Sequence, residues 1–268
     1  TFATVPTTKP DHNMGRGDID VKQREYGWTI RVLGPVDLAT PDGVESLGGR
    51  LPQTLIATLV IAAGRIVSVD HLIEVMWDDD PPASALNTLQ SYVSRLRHLL
   101  GADSIRLANH GYLLDVDVEH VDALRFEQLI RSAAGEDCPP EKARSLCHEA
   151  LQMWRGVPFG DLADIDPFRL EAMRLDELRM LAMETQLEAE LELDHPELVI
   201  GALESAVRET PYREHLWFML IDALTREGRR REALEACGAL RGLLAEIGLD
   251  GGPNLAKLED RIAQGSDV

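Results

Sequence analysis

The hydrophobic period changes once along this 268-residue chain, and that change constrains the fold more than any other feature. Up to about residue 118, short alternating runs are interleaved with helical stripes. Beyond residue 120 no strand pattern survives. Such a chain must place a small α+β unit ahead of an all-α one. Trp28-Thr29-Ile30-Arg31-Val32-Leu33 alternates and is stopped by Gly34-Pro35, so it reads as a strand. Val36-Asp37-Leu38 reads as a second, ended by the turn residues Thr40-Pro41-Asp42-Gly43. Helical patterns follow over 53–63, over 68–77 with Asp70 available to cap its first turn, and over 83–100. In the third helix Leu86, Leu89, Val93, Leu96 and Leu100 are expected to form the core stripe, opposite Asn87, Ser91, Ser94 and His98. Ile105-Arg106-Leu107 and Gly111 to Val116 read as two strands about a turn at Asn109-His110-Gly111.

A strand pair, three helices and a terminal hairpin, in that order, make a winged helix-turn-helix. Its third helix enters the major groove and its hairpin tip reaches the backbone or the minor groove. After it, helical stretches are expected near 122–134, 141–154, 168–193, 196–208, 213–226 and 230–246. Val199, Leu203 and Ala206 recur 34 residues later as Ala233, Cys237 and Leu240. Two helices per 34-residue unit is the tetratricopeptide pattern, whose stacked pairs leave a concave surface for partners. The expected fold is therefore mainly α: a flexible leader over 1–25, a winged-helix domain over 26–118 and a tetratricopeptide-like domain over 119–268.

Charge tests that reading. The chain carries 46 acidic and 27 basic side chains, a net −19, which by itself speaks against nucleic acid. The excess is uneven: zero over 1–25, −5 over 26–118 and −14 over 119–268. Residues 87–112 hold Arg95, Arg97 and Arg106 against Asp103 alone, with His98 and His110 beside them. Three cysteines with no CxxC point to a reducing, cytoplasmic setting. No P-loop, GxGxxG, GxSxG or paired-carboxylate pattern is present, and the histidines show no zinc spacing, so no catalysis, cofactor or metal is expected. The longest apolar run, 55–63, is too short to span a membrane.

Three stretches of the first half and three of the second then resemble one family. They are Val67-Ser68-Val69-Asp70-His71-Leu72-Ile73 with Met76-Trp77, Asp80-Pro81-Pro82-Ala83 with Leu89 to Arg97, and His110 to Val116. Further on come Trp154-Arg155-Gly156, Leu175 to Arg179 and Leu216 to Leu220 with Gly228-Arg229. The chain is similar to the Streptomyces antibiotic regulatory proteins, transcriptional activators that join a winged helix to a bacterial transcriptional activation domain. The resemblance implies an activator that binds direct repeats in double-stranded promoter DNA as a homodimer. It also implies contact with RNA polymerase and its sigma factor, and service to a secondary-metabolite gene cluster. The chain departs from the family at Arg50-Leu51-Pro52-Gln53, at Asn87 where related winged helices carry Arg, and at Asn109 and His110 where family hairpins carry Arg or Lys. Each departure lowers phosphate attraction.

The DNA-contacting set expected on these grounds is Asn87, Thr88, Gln90, Ser91, Ser94, Arg95, Arg97, His98, Arg106, Asn109 and His110. Asn pairs with adenine and Ser serves several bases. Arg95 suits phosphate, and Arg97 lies near the apolar seam, where an ion pair and a phosphate contact stand equal. Tyr112 and the tryptophans Trp77, Trp154 and Trp217 are expected in the core. Two other readings stay open: a tetratricopeptide scaffold whose winged helix binds protein, and a ligand-sensing regulator with a small molecule in the helical concavity.

Overall fold

The computed structural model describes residues 27–264 apart from 79, 136, 250 and 251; the expected leader lies outside them. The first half opens on an antiparallel three-stranded sheet, β1 (Thr29–Arg31), β2 (Asp37–Thr40) and β3 (Gly43–Glu45). Ile30 pairs with Leu38 and Arg31 with Asp37, so Arg31 Nε reaches Asp37 Oδ1 across the pair at 2.6 Å. Three helices follow, α1 (Arg50–Ile61), α2 (Val69–Trp77) and α3 (Ala85–Leu100). A second sheet pairs β4 (Val67–Ser68) with β6 (Gly111–Leu114), and β6 with β5 (Ile105–Ala108). This is a winged helix, and α1 is its central element, buried on nearly every side from Pro52 to Val60. The hydroxyls of Thr54 and Thr58 donate to the carbonyls four residues back, which lets polar side chains sit inside that helix.

The rest is helical: α4 (Asp122–Ala133), α5 (Pro140–Gln152), α6 (Asp166–Glu192), α7 (Pro196–Glu209), α8 (Glu214–Arg226), α9 (Arg230–Glu246) and α10 (Gly252–Gln264). Each packs on the next, and α10 closes the stack by burying Leu255 and Ile262. Arg230 Nη2 donates to the α10 carbonyls of Ile262 and Ala263, where a cation suits the helix C-terminus. The molecule is mainly α, as expected from the sequence. No helix among the described residues is long and apolar enough to cross a membrane.

Several expectations are corrected in detail. Ser68, not Asp70, caps α2: its hydroxyl accepts from the His71 N–H at 3.2 Å, because Ser68 holds the extended N-cap position and Asp70 already lies inside the helix. Leu86 is not in the core stripe of α3. Ala85 is buried in its place and Leu86 stands 46% exposed, because the helix turns its seam toward Ala85, Leu89, Val93, Leu96 and Leu100. Trp217 and Tyr112 are buried as expected, while Trp77 and Trp154 are half-buried.

The two halves are joined by a polar clamp inside a continuous apolar core that runs from Trp28 to Ala189. Asp122, only 5% exposed at the start of α4, accepts from the Val32 N–H at 2.8 Å, the Leu33 N–H at 3.0 Å and its neighbour Ala123 N–H at 2.7 Å. Arg155, in the turn after α5, reaches Asp37 Oδ2 at 3.0 Å and the Pro35 carbonyl at 2.9 Å, with Asp122 Oδ2 at 3.9 Å. The Arg155 N–H donates to the Leu33 carbonyl, the Phe159 N–H to the Val32 carbonyl and the His120 ring to the Trp28 carbonyl. A Cβ on Gly34 would lie 2.9 Å from Arg155 Cβ, and one on Gly160 would lie 2.9 Å from Pro35 Cα. Neither glycine leaves room for a side chain, and these bonds hold the winged helix against α4 and the turn after α5.

Candidate nucleic-acid interface

The exposed face of α3 is set by its seam. With Leu89, Val93, Leu96 and Leu100 turned inward, the 3.6-residue period puts Asn87, Gln90, Ser91, Ser94, Arg95 and His98 outward, and all six are exposed. α3 contains no Asp or Glu, although the chain as a whole is net −19. Its first turn has neither an acidic residue nor a side-chain cap, so the positive end of the helix is open. The Ser91 hydroxyl donates to the Asn87 carbonyl at 2.9 Å and that of Thr88 to the Ser84 carbonyl at 3.0 Å. Both oxygens therefore meet a ligand chiefly as acceptors. The side chains of Asn87, Gln90, Ser94 and His98 have no hydrogen-bond partner among the described residues.

The three arginines of the basic island have different places. Arg97 makes no ion pair among the described residues: its Nε donates to the Ile105 carbonyl at 2.7 Å and ties α3 to the first strand of the wing. It is half-buried, and this bond fixes wing against helix. Arg106 is paired at 2.9 Å with Asp115, the residue that follows β6, so its charge is locally neutralised. Arg95 is exposed and has no ion pair with a described residue. Its guanidinium lies beside Gly48, where an added Cβ would stand 3.1 Å from Nη1. Gly48 has φ +108, and the next residue, Gly49, is the N-cap of α1 with no side-chain cap. Exposed Arg50 opens that helix. Arg95 and the Gly48–Gly49 turn at the start of α1 thus lie side by side, a neighbourhood that the sequence pattern missed; the double glycine is the signal that marks it.

The wing turns on Asn109 and His110, with φ +44 and +60, between the paired residues Ala108 and Gly111. Two left-handed residues make the type I′ turn that matches the twist of a hairpin. Both side chains are exposed at the tip. Gly111 belongs to the strand, not to the turn: a Cβ there would sit 2.3 Å from the Val67 carbonyl oxygen. The wing therefore closes on β4, and the Val69 N–H donates to the His110 carbonyl. The helix face and the wing tip stand on one rigid frame, held by Arg97, Gly111 and the seam of α3.

Comparison with known proteins agrees with this architecture. The family described as "Transcriptional regulatory protein, C terminal" matches residues 51–114, and "Bacterial transcriptional activator domain" matches residues 121–263. The chain is 33% identical over 248 residues to the regulatory protein DnrI of Streptomyces peucetius, covering 87% of this chain and 91% of that protein. The chain belongs to the Streptomyces antibiotic regulatory protein family. As a member it is a transcriptional regulator. It is 34% identical to the regulatory protein AfsR of Streptomyces griseus, over 88% of this chain but 24% of AfsR. A solved structure of Mycobacterium tuberculosis EmbR, in complex with a low affinity phosphopeptide, superposes with TM-score 0.79 at 32% identity over 90% of this chain and 66% of that one. Two stretches that carry the family resemblance have plain structural reasons here: Gly111 in His110-Gly111-Tyr112 permits the wing to close, and Trp154-Arg155-Gly156 supplies the clamp to Asp37 and Asp122.

Proposed function

We propose that this regulator binds double-stranded promoter DNA with α3 in the major groove and the wing tip on the backbone. Residues 26–118 form the reading unit and residues 119–268 the activating one. The observation that carries the reading is the acid-free, polar outer face of α3 in an otherwise strongly acidic protein. Asn87 and Gln90 present donor and acceptor together, as adenine requires, and Ser91 and Ser94 add acceptors without filling the groove. Arg95, with the open N-terminus of α1 beside it, serves phosphate. A single exposed arginine on α3 is a small allowance for duplex DNA, so affinity is modest, salt-sensitive and raised by a second copy on a direct repeat. The helical half supplies the contact with RNA polymerase and its sigma factor. Leu170 and Met173, exposed one turn apart on α6, support a protein-facing role there. The protein acts in the cytoplasm, at promoters such as those of a secondary-metabolite cluster.

Duplex binding across a salt series tests this. Arg95→Ala is expected to weaken every duplex alike and to lower the slope of log affinity against log salt by about 0.9, one phosphate contact. Asn87→Ala is expected to change preference at one base pair, at about 1–3 kcal/mol. A uniform loss from Asn87→Ala refutes its role in readout.

A further inference from the structure

Leu86 breaks the pattern of the surface it occupies. It lies in the first turn of α3, the end that meets base edges in a helix-turn-helix, and about half of its side chain is open to solvent while neighbouring Ala85 is buried. Gln90 stands one helical turn further on the same side, with Asn87 alongside and no acidic residue on the helix. A leucine at the rim of a hydrogen-bonding face adds nothing to polar readout and exposes apolar surface in the free protein. In the major groove each base pair offers hydrogen-bonding edges, and only thymine also offers an apolar group, its C5 methyl. We propose that Leu86 is a specificity-determining residue that packs on a thymine methyl, with Gln90 facing an adenine nearby, so that each bound site contains an obligatory A·T pair at the position under the start of α3. This inference rests on the DNA-reading function proposed above.

Deoxyuridine differs from thymidine by that methyl alone, which isolates the contact. The full chain is used to select a duplex from a randomised pool, and each thymine of the winner is replaced in turn by deoxyuridine. At one thymine per bound site the wild type is expected to lose about fourfold in affinity, the worth of one buried methyl at ~0.8 kcal/mol. Leu86→Ala, which keeps the fold because it trims an exposed group, is expected to bind the thymine duplex more weakly and to be indifferent to deoxyuridine at that one position. Such non-additivity marks direct contact. Equal deoxyuridine losses in both proteins, no sensitive thymine, or an equal loss by Leu86→Ala on every duplex overturns the inference and leaves DNA reading standing. Absence of salt-sensitive binding to any duplex overturns both together.

Discussion

Asp122→Ala is expected to cost about 2–6 kcal/mol of folding stability, at ~1–3 kcal/mol for each of two buried N–H groups left without its acceptor. The substitution strips acceptors from the buried N–H groups of Val32 and Leu33. It also removes one of the two carboxylates facing Arg155. Burial pushes the Asp122 carboxyl up to about 6, against the opposing pull of three N–H donors and the Arg155 guanidinium. The native state therefore holds the proton more tightly than the unfolded chain, whose carboxyl titrates near 4. Stability from this group is full below about pH 4, falls as pH rises toward 6 and stays lower above, by on the order of 3 kcal/mol. Both statements hold together: the junction needs the oxygens, not the charge. Denaturant unfolding at pH 5 and pH 7.5 measures this. The wild type is expected to lose more stability than Asp122→Asn between those values, and equal losses would falsify the assignment.

Gly111→Ala is expected to be the most damaging single methyl that the winged helix could receive. The new Cβ would stand 2.3 Å from the Val67 oxygen, 2.7 Å from Ile66 Cγ2 and 2.9 Å from the Val67 carbonyl carbon. Two of these are backbone atoms of a paired strand and cannot turn aside, so β4 and β6 must part. A loss of about 3 kcal/mol follows, at the upper end for overpacking. The wing then loses its fixed angle to α3, and DNA affinity falls at least tenfold even at temperatures where α7 to α10 remain folded. Their core is separate from the one the wing belongs to, running from Leu187 to Ile262. Circular dichroism paired with duplex binding checks this; an unchanged affinity in a folded Gly111→Ala protein contradicts the role given to the wing.

The helical half was legible in the sequence because long amphipathic helices repeat their apolar residues many times. The expected bounds for α4 to α9 lie within two residues of the observed ones. β3 and β4 escaped because two or three residues carry no period, and their pairing depends on partners far along the chain. α10 escaped because Gly and Pro open it and obscure its start. The outward face of α3 was readable from spacing, but its edge was not. Leu86 and Ala85 are adjacent, and only packing decides which turns in. The fates of Arg97 and Arg106 were likewise invisible, since a carbonyl at Ile105 and a carboxylate at Asp115 are brought to them by the hairpin. The clamp of Asp122 and Arg155 joins residues some 90 to 120 positions apart, a distance that no local pattern encodes.

The charge of −19 is the standing objection to a DNA-reading protein, and one measurement meets it directly. Hydroxyl-radical footprinting of the full chain is carried out on the promoters of neighbouring genes, at low and physiological salt, with and without RNA polymerase. Protection is expected along one face of the duplex, recurring about every helical turn. It should be weakened by salt, strengthened by polymerase and reduced by Arg95→Ala. No protection at low salt by a folded chain, whether or not polymerase is present, contradicts a DNA-reading role.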